Sequence, residues 1–214
     1  MELSREIIRE YVKCLNDKPT AYPYKQGLND MNKIDLKDIT EEDVATYIKC
    51  FLYDFGWMQR VLERSEYRGW EENLAKQIQA NHERLDYFKT KNLEDVNLRE
   101  FESDIKCCYE SFQDAVGPIA AAKTLHFICP NFFPLWDRKI AKAAGRERNQ
   151  GISGNGKVKG LSAKDYYMFV QQVQAFIHKR DIISELANQY GKGKVKIADE
   201  CLWSATQRPL YLFF

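Results

Sequence analysis

The chain has 214 residues, of which 44% are hydrophobic, 29% charged and 13% aromatic, and its formal net charge is +1 at pH 7. This length suffices for one domain, or two small ones, around a hydrophobic core, and the aromatic content excludes a low-complexity disordered chain. No apolar run approaches the roughly 20 residues of a membrane-spanning helix, and the amphipathic start of the chain has no signal-peptide core. We therefore expect a soluble, cytoplasmic protein.

The spacing of the apolar residues is helical through most of the chain, which predicts an all-α fold. Residues 4–15 form an amphipathic pattern with Ser4 as the N-cap, whereas residues 16–39 are polar and rich in helix breakers. Thr40, followed by three acidic residues, predicts the start of a helix that ends near Gly56. Further helices are expected at about 68–81, 98–115, 119–129, 137–145, 163–190 and 195–206.

Charge is distributed unevenly along the chain. Residues 1–110 contain 17 Lys and Arg against 23 Asp and Glu, whereas residues 111–214 contain 15 against 8. Residues 138–160 contain seven basic residues and one acidic residue. Such a basic half favours a polyanionic partner, although a solvated face with a basic loop is the alternative.

Residues 112–141 are the most informative part of the sequence. There a helix ends, Val-Gly-Pro forms a tight turn, a helix of small residues follows, and Asp137 opens a new helix after a proline-bounded loop. Gly117 can adopt a positive φ, and the turn leaves unpaired amide groups at a helix N-terminus, where anions bind. A turn of this kind can hold a nucleic-acid phosphate through backbone groups alone.

On these residues the sequence resembles the helix-hairpin-helix DNA glycosylase superfamily, which includes endonuclease III and the alkyladenine and 8-oxoguanine glycosylases. In that family a hairpin of the form Leu-x-Gly-Val-Gly-x-x-Thr-Ala precedes a catalytic Asp by about twenty residues. Here residues 116–121 are similar to the hairpin, residues 136–140 are similar to the segment with the Asp, and Gly117 precedes Asp137 by 20 positions. The Pro-x-x-Phe-Pro-x-Trp-Asp run at 130–137 is also similar to an uncharacterised bacterial branch.

The resemblance implies that Asp137 is the catalytic carboxylate of N-glycosidic cleavage. Positive charge develops on the sugar in that reaction, and a nearby carboxylate stabilises it and can orient or deprotonate a water. An Asp that opens a helix is also a common N-cap, and the two roles can coexist.

A lysine decides whether such an enzyme also cleaves the DNA strand. Ile119 occupies the position at which bifunctional members of the family carry that lysine, which favours a monofunctional enzyme. Lys123 lies one turn further along the same helical face, so a Schiff-base step through Lys123 stays open. The alternative for Lys123 is a phosphate-contacting or solvated side chain.

The resemblance also implies a set of DNA-contacting residues. Backbone contacts to phosphate are expected from Val116, Gly117, Ile119 and Ala120. Candidate side-chain contacts to phosphate come from Lys123, Arg138, Lys139 and Lys142. The glycine-rich basic stretch 149–160 is interpreted as a flexible loop along the phosphates or as a plain solvent loop. It contains a G-x-x-x-x-G-K pattern, but Val158 stands where a P-loop requires a hydroxyl, and no strand precedes it.

A flipped-out base requires a pocket with a stacking surface and a few polar groups. The order of segments in the family places one pocket wall at residues 53–60, where Tyr53, Trp57 and Gln59 are the candidates, and Trp136 is a further one. The alternative is an ordinary core-facing aromatic cluster.

No cofactor is expected. The six cysteines form no C-x-x-C pair, so a structural zinc site is not predicted. Only Cys201 lies in the C-terminal region where some members of the family hold an iron–sulfur cluster with four cysteines. We interpret most of the cysteines as reduced and buried.

The resemblance implies two helical subdomains that flank a cleft. Residues 40–131 would form the central subdomain, which ends in the hairpin, and residues 1–39 with 132–214 would form the second, which carries Asp137. The implied function is excision of a damaged or modified base from double-stranded DNA, as in DNA repair, by a monomeric, nucleoid-associated glycosylase. The alternatives are a non-catalytic DNA-binding protein with the same hairpin and a helical protein without a nucleic-acid role.

Overall fold

The protein is described here by a computed structural model, which covers residues 4–16, 21–55, 57–137, 139–140 and 161–207. Every regular element within these residues is helical, so the all-α prediction is confirmed. The α-helices are α1 (Arg5–Asn16), α2 (Ala21–Met31), α3 (Glu41–Asp43), α4 (Gln59–Leu62), α5 (Trp70–Ala80), α6 (His82–Lys89), α7 (Glu102–Val116), α8 (Pro118–Ile128), α9 (Ala163–His178), α10 (Asp181–Tyr190) and α11 (Lys194–Gln207). Two π-helical turns, Val44–Ile48 and Phe51–Phe55, follow α3, and 3-10 turns lie at Ser65–Tyr67, Leu93–Asp95 and Leu98–Phe101.

Local capping explains where two of these helices begin. The Thr40 hydroxyl accepts the backbone N–H of Asp43, and the Asp43 carboxylate accepts the N–H of Thr40 in return. Ser162 and Asp165 form the same reciprocal pair at the start of α9. Each pair satisfies two amide groups that the first turn of a helix leaves without acceptors. The predicted helix start at Thr40 is therefore confirmed.

Helix α2 corrects the prediction that residues 16–39 are irregular. Pro23 is the third residue of α2, where a missing amide hydrogen costs the helix no hydrogen bond. Gly27 brings α2 close to α8, since a Cβ atom at this position would lie 3.1 Å from the ring of Phe127. The two residues that suggested a break in the chain are thus compatible with a packed helix.

The core is built around α7 and α11. Helix α7 packs against α5, α8 and α9, while α11 packs against α1, α9 and α10. The buried apolar side chains of the described residues form one contiguous cluster, and the division into two subdomains stays a prediction. Of the cysteines whose side chains are described, Cys108, Cys129 and Cys201 are buried, Cys107 is half-buried and Cys50 is exposed.

Candidate functional site

The Gly117 turn joins two long helices in the predicted order. Helix α7 ends at Val116, and α8 begins with Pro118 at its first position. Gly117 has φ 77° and ψ 167°, a backbone conformation that is essentially restricted to glycine. A Cβ atom on Gly117 would lie 2.5 Å from the hydroxyl of Tyr67. Both the backbone conformation and the packing therefore require glycine here.

The backbone groups predicted to contact phosphate are mostly enclosed. Val116, Gly117 and Ala120 are buried, and Ile119 is half-buried. The helical hydrogen bonds of α8 start with the bond from the Ala121 N–H to the Gly117 carbonyl, at 2.9 Å. The amides of Ile119 and Ala120 precede this bond, where an α-helix offers no acceptor. Of the four predicted positions, Ile119 is the one that is part-exposed.

Asp137 and Lys123 are electrostatic neighbours. The half-buried Asp137 carboxylate accepts the backbone N–H of Ile140 at 2.8 Å, which is the N-cap interaction that the sequence predicts. Lys123, on α8, is also half-buried. Burial lowers the pKa of the Lys123 amine, and the negative charge of Asp137 partly offsets this effect. The fold thus brings two candidate residues that are 14 positions apart in the sequence within electrostatic range of each other.

The irregular segment that leads to Asp137 is held by side chains from three helices. His126 of α8 donates from Nδ1 to the Phe133 carbonyl at 2.7 Å, and Tyr166 of α9 donates to the Pro134 carbonyl at 3.0 Å. The carboxylate of Asp199 on α11 accepts the Leu135 N–H, with both oxygens 3.1 Å from the nitrogen. Each of these three side chains is buried. Three consecutive backbone groups before Asp137 are therefore fixed from the core.

His126, one of the three buried side chains that hold this segment, makes the stability of the folded protein depend on pH. Burial and, to a smaller extent, the charge of Lys196 lower the pKa of His126 from 6.5 to about 3, and the Asp199 carboxylate lies 3.7 Å from its Nδ1 atom. Below about pH 6.5 the unfolded chain takes up a proton that the folded protein does not. The contribution of His126 to stability is therefore complete above that pH and is lost as the pH falls toward about 3.

We expect the stability advantage of the wild type over His126→Asn to shrink as the pH falls from about 7 to about 4.5. Asn retains an N–H donor for the Phe133 carbonyl but does not titrate. Urea unfolding followed by circular dichroism measures the effect. His82→Asn is the matched control, because the Nδ1 of His82 contacts a backbone carbonyl, that of Gln79, at 2.8 Å. A pH dependence of the same size in both variants would contradict the assignment to His126.

Trp136 is not a wall of a base pocket, which corrects the prediction. Its side chain is 1% exposed, and its indole packs against Tyr166 and Phe169 with ring centroids 5.5 and 5.2 Å away. A base would have no exposed face of this ring to stack on. Phe132, Phe133 and Trp136, the aromatic residues before Asp137, are buried in the core.

The other predicted pocket residues lie at or near the surface. Trp57 is 82% exposed and has a positive φ of 52°. Gln59 is exposed and donates to Glu63 at 2.8 Å. Tyr53 is half-buried, and the Lys49 ammonium group lies 5.5 Å from the centre of its ring. Their assignment to a base pocket stays a prediction.

The predicted phosphate-binding side chains are only partly described. Lys139 is exposed, whereas Arg138, Lys142 and the basic stretch 149–160 lie outside the described residues. Within the described ranges, no group of three or more His, Cys, Asp or Glu side chains is placed to hold a metal ion. None of the described helices has both the length and the apolar character needed to cross a membrane.

The sequence did not indicate three residues that shape this site. Tyr67 covers the Gly117 turn, and Tyr166 and Asp199 hold the segment before Asp137. All three are distant in sequence from the groups they contact, so no local motif marks them. Comparisons of the chain with family models, with curated proteins and with solved structures found no match.

Proposed function

We propose that the protein is a DNA glycosylase that hydrolyses the N-glycosidic bond of a flipped-out damaged or modified base in duplex DNA. The class of reaction is inferred from the resemblance of residues 112–141 to the helix-hairpin-helix DNA glycosylases. The observation that carries the proposal is that Asp137, a half-buried carboxylate bonded to the Ile140 N–H, lies within electrostatic range of Lys123 on α8, the helix that follows the Gly117 turn. Such an enzyme works as a monomer on DNA of the cytoplasmic nucleoid.

In the proposed reaction the bond between C1′ of the deoxyribose and the base nitrogen breaks, and the bonding electrons leave with the base. Positive charge then develops on C1′ and O4′, and the Asp137 carboxylate stabilises it at short range. A water attacks C1′ and transfers its proton to Asp137 or to solvent. Phe132, Phe133 and Trp136, which precede Asp137, are buried and apolar. They lower the local dielectric constant, which strengthens the attraction between the carboxylate and the positive charge on the sugar.

A second candidate function is strand cleavage through Lys123. It is favoured by the lowered pKa of the Lys123 amine, because the neutral amine is the nucleophile. The amine would displace the base at C1′ and form a Schiff base with the opened sugar. Loss of the proton at C2′ would then break the C3′–O3′ bond of the strand.

The proposed function predicts abasic sites. A panel of duplexes, each with one oxidised purine, alkylated base or modified pyrimidine, is incubated with the protein and then treated with hot alkali. We expect strand breaks after alkali on one class of base and none on undamaged duplex. Salt-dependent binding without a product on any duplex would instead support a non-catalytic DNA-binding protein.

Borohydride trapping tests the second candidate. If Lys123 forms a Schiff base, we expect reduction to link protein and DNA covalently, and Lys123→Gln to lose that product completely. Lys106→Gln is the control, since Lys106 is a half-buried lysine on the adjacent helix α7. Absence of a covalent product with the wild type, under conditions in which bases are excised, would reject the lyase step.

A further inference from the structure

The segment from Pro130 to Asp137 has no regular secondary structure after its first turn, yet half of its residues are buried. Buried backbone groups require hydrogen-bond partners. The first half of the segment obtains them from other backbone groups, whereas the Phe133 and Pro134 carbonyls and the Leu135 N–H obtain them from side chains. Tyr166 and Asp199, from α9 and α11, bond to the two residues immediately before Trp136. Two of the three side chains that hold the segment before Asp137 thus come from helices that follow it in the sequence.

We propose that Tyr166 and Asp199 are positioning residues for the Asp137 carboxylate. By fixing the Pro134 carbonyl and the Leu135 amide, they hold Asp137 in the orientation in which its Oδ1 atom receives the Ile140 N–H at 2.8 Å. The consequence for catalysis rests on the proposed function, whereas the orientation of the carboxylate can be measured without it.

The short backbone connection between Leu135 and Asp137 transmits these contacts to the position of the carboxylate. Leu135 is two residues from Asp137, so a change in the backbone torsion angles of Leu135 or Trp136 moves the carboxylate. Trp136 lies between them in the sequence, and its side chain is buried. The chain therefore cannot shift freely to restore the position of the carboxylate. A displacement of about 1 Å at a catalytic group lowers the rate by about 10²-fold.

Replacements at Tyr166 and Asp199, with a control at Tyr167, separate an effect on the position of Asp137 from an effect on folding. Tyr166→Phe removes one hydroxyl and keeps the ring, which stacks on Tyr109 with ring centroids 4.3 Å apart. Tyr167→Phe is the matched control on the same helix, because the buried Tyr167 donates in the same way to the Leu98 carbonyl at 3.1 Å, in a different segment. At Asp199, replacement by Asn keeps an acceptor oxygen for the Leu135 N–H (Asp199→Asn), whereas replacement by Val removes it (Asp199→Val).

Amide hydrogen exchange at Ile140 measures the orientation of Asp137, because this amide donates to the carboxylate. We expect exchange at Ile140 to be about tenfold faster in Tyr166→Phe and unchanged in Tyr167→Phe and Asp199→Asn. The single-turnover rate of base excision should fall about tenfold or more in Tyr166→Phe, with the Kd for duplex DNA unchanged. Asp199→Val should show both the faster exchange at Ile140 and the slower excision of the base.

The outcomes distinguish this proposal from the proposed function. Unchanged exchange at Ile140 in Tyr166→Phe, or an equal increase in Tyr167→Phe, overturns the positioning role. An unchanged excision rate despite faster exchange also overturns it. If the wild type excises no base from any duplex, the proposed function fails, and the exchange at Ile140 alone then decides whether Tyr166 and Asp199 position the carboxylate.

Discussion

Asp137→Asn is expected to lower the rate of base excision by about 10²- to 10³-fold while leaving the fold intact. The replacement is isosteric, and Asn caps a helix about as well as Asp, so the bond to the Ile140 N–H can persist. The negative charge that stabilises the developing positive charge on the sugar is lost. Removal of one stabilising group of this kind lowers a rate by about 10²- to 10³-fold.

The measurement is the single-turnover rate of excision on the duplex that the wild type cleaves, together with the Kd for that duplex. We expect the Kd to change little, because phosphate contacts supply most of the affinity. Asp165→Asn is the matched control, since Asp165 is also a half-buried carboxylate at the start of a helix. A rate close to that of the wild type in Asp137→Asn would remove Asp137 from the mechanism.

The second large effect is on stability, at the Gly117 turn. We expect Gly117→Ala to lower the free energy of unfolding by about 3 kcal/mol, because its φ of 77° and ψ of 167° strain any side-chain-bearing residue. The added Cβ atom would also lie 2.5 Å from the Tyr67 hydroxyl, so the turn or the tyrosine must move. Urea unfolding followed by circular dichroism gives the change.

Two variants separate strain from crowding at this turn. Gly191→Ala also places a Cβ at a positive φ, 59°, but no atom lies within 4 Å of it, and we expect a loss of only about 1 kcal/mol. Tyr67→Phe combined with Gly117→Ala removes the hydroxyl and should recover part of the loss. If Gly117→Ala costs no more than Gly191→Ala, the contact with Tyr67 has no role in fixing the turn.

Features that depend on neighbouring residues were predictable from the sequence. The cap at Thr40 and the turn at Gly117 each follow from a few adjacent side chains. Helix α2 was not predicted, because its proline and glycine are breakers in isolation, and only the close packing of Gly27 on Phe127 shows why they are accommodated.

The candidate site was predictable only in part, for the same physical reason. Asp137 is a candidate because of the resemblance, which includes its distance to Gly117, and its role stays a prediction. The burial of Trp136 depends on Tyr166 and Phe169, which lie about thirty positions further along the chain. The contacts of Tyr67 and Asp199 are likewise set by tertiary packing, which leaves no periodic pattern in the sequence.

The bond between Leu135 and Asp199 has a consequence for the order of events during synthesis. Asp199 follows Asp137 by 62 positions, so when α7 and α8 have just emerged from the ribosome, the residue that holds the Leu135 amide has not yet been synthesised. A nascent chain can therefore pack α7 against α8 before all the side chains that hold the segment with Asp137 are present. The anchored arrangement of the carboxylate arises only after α11 has packed, late in the maturation of each molecule.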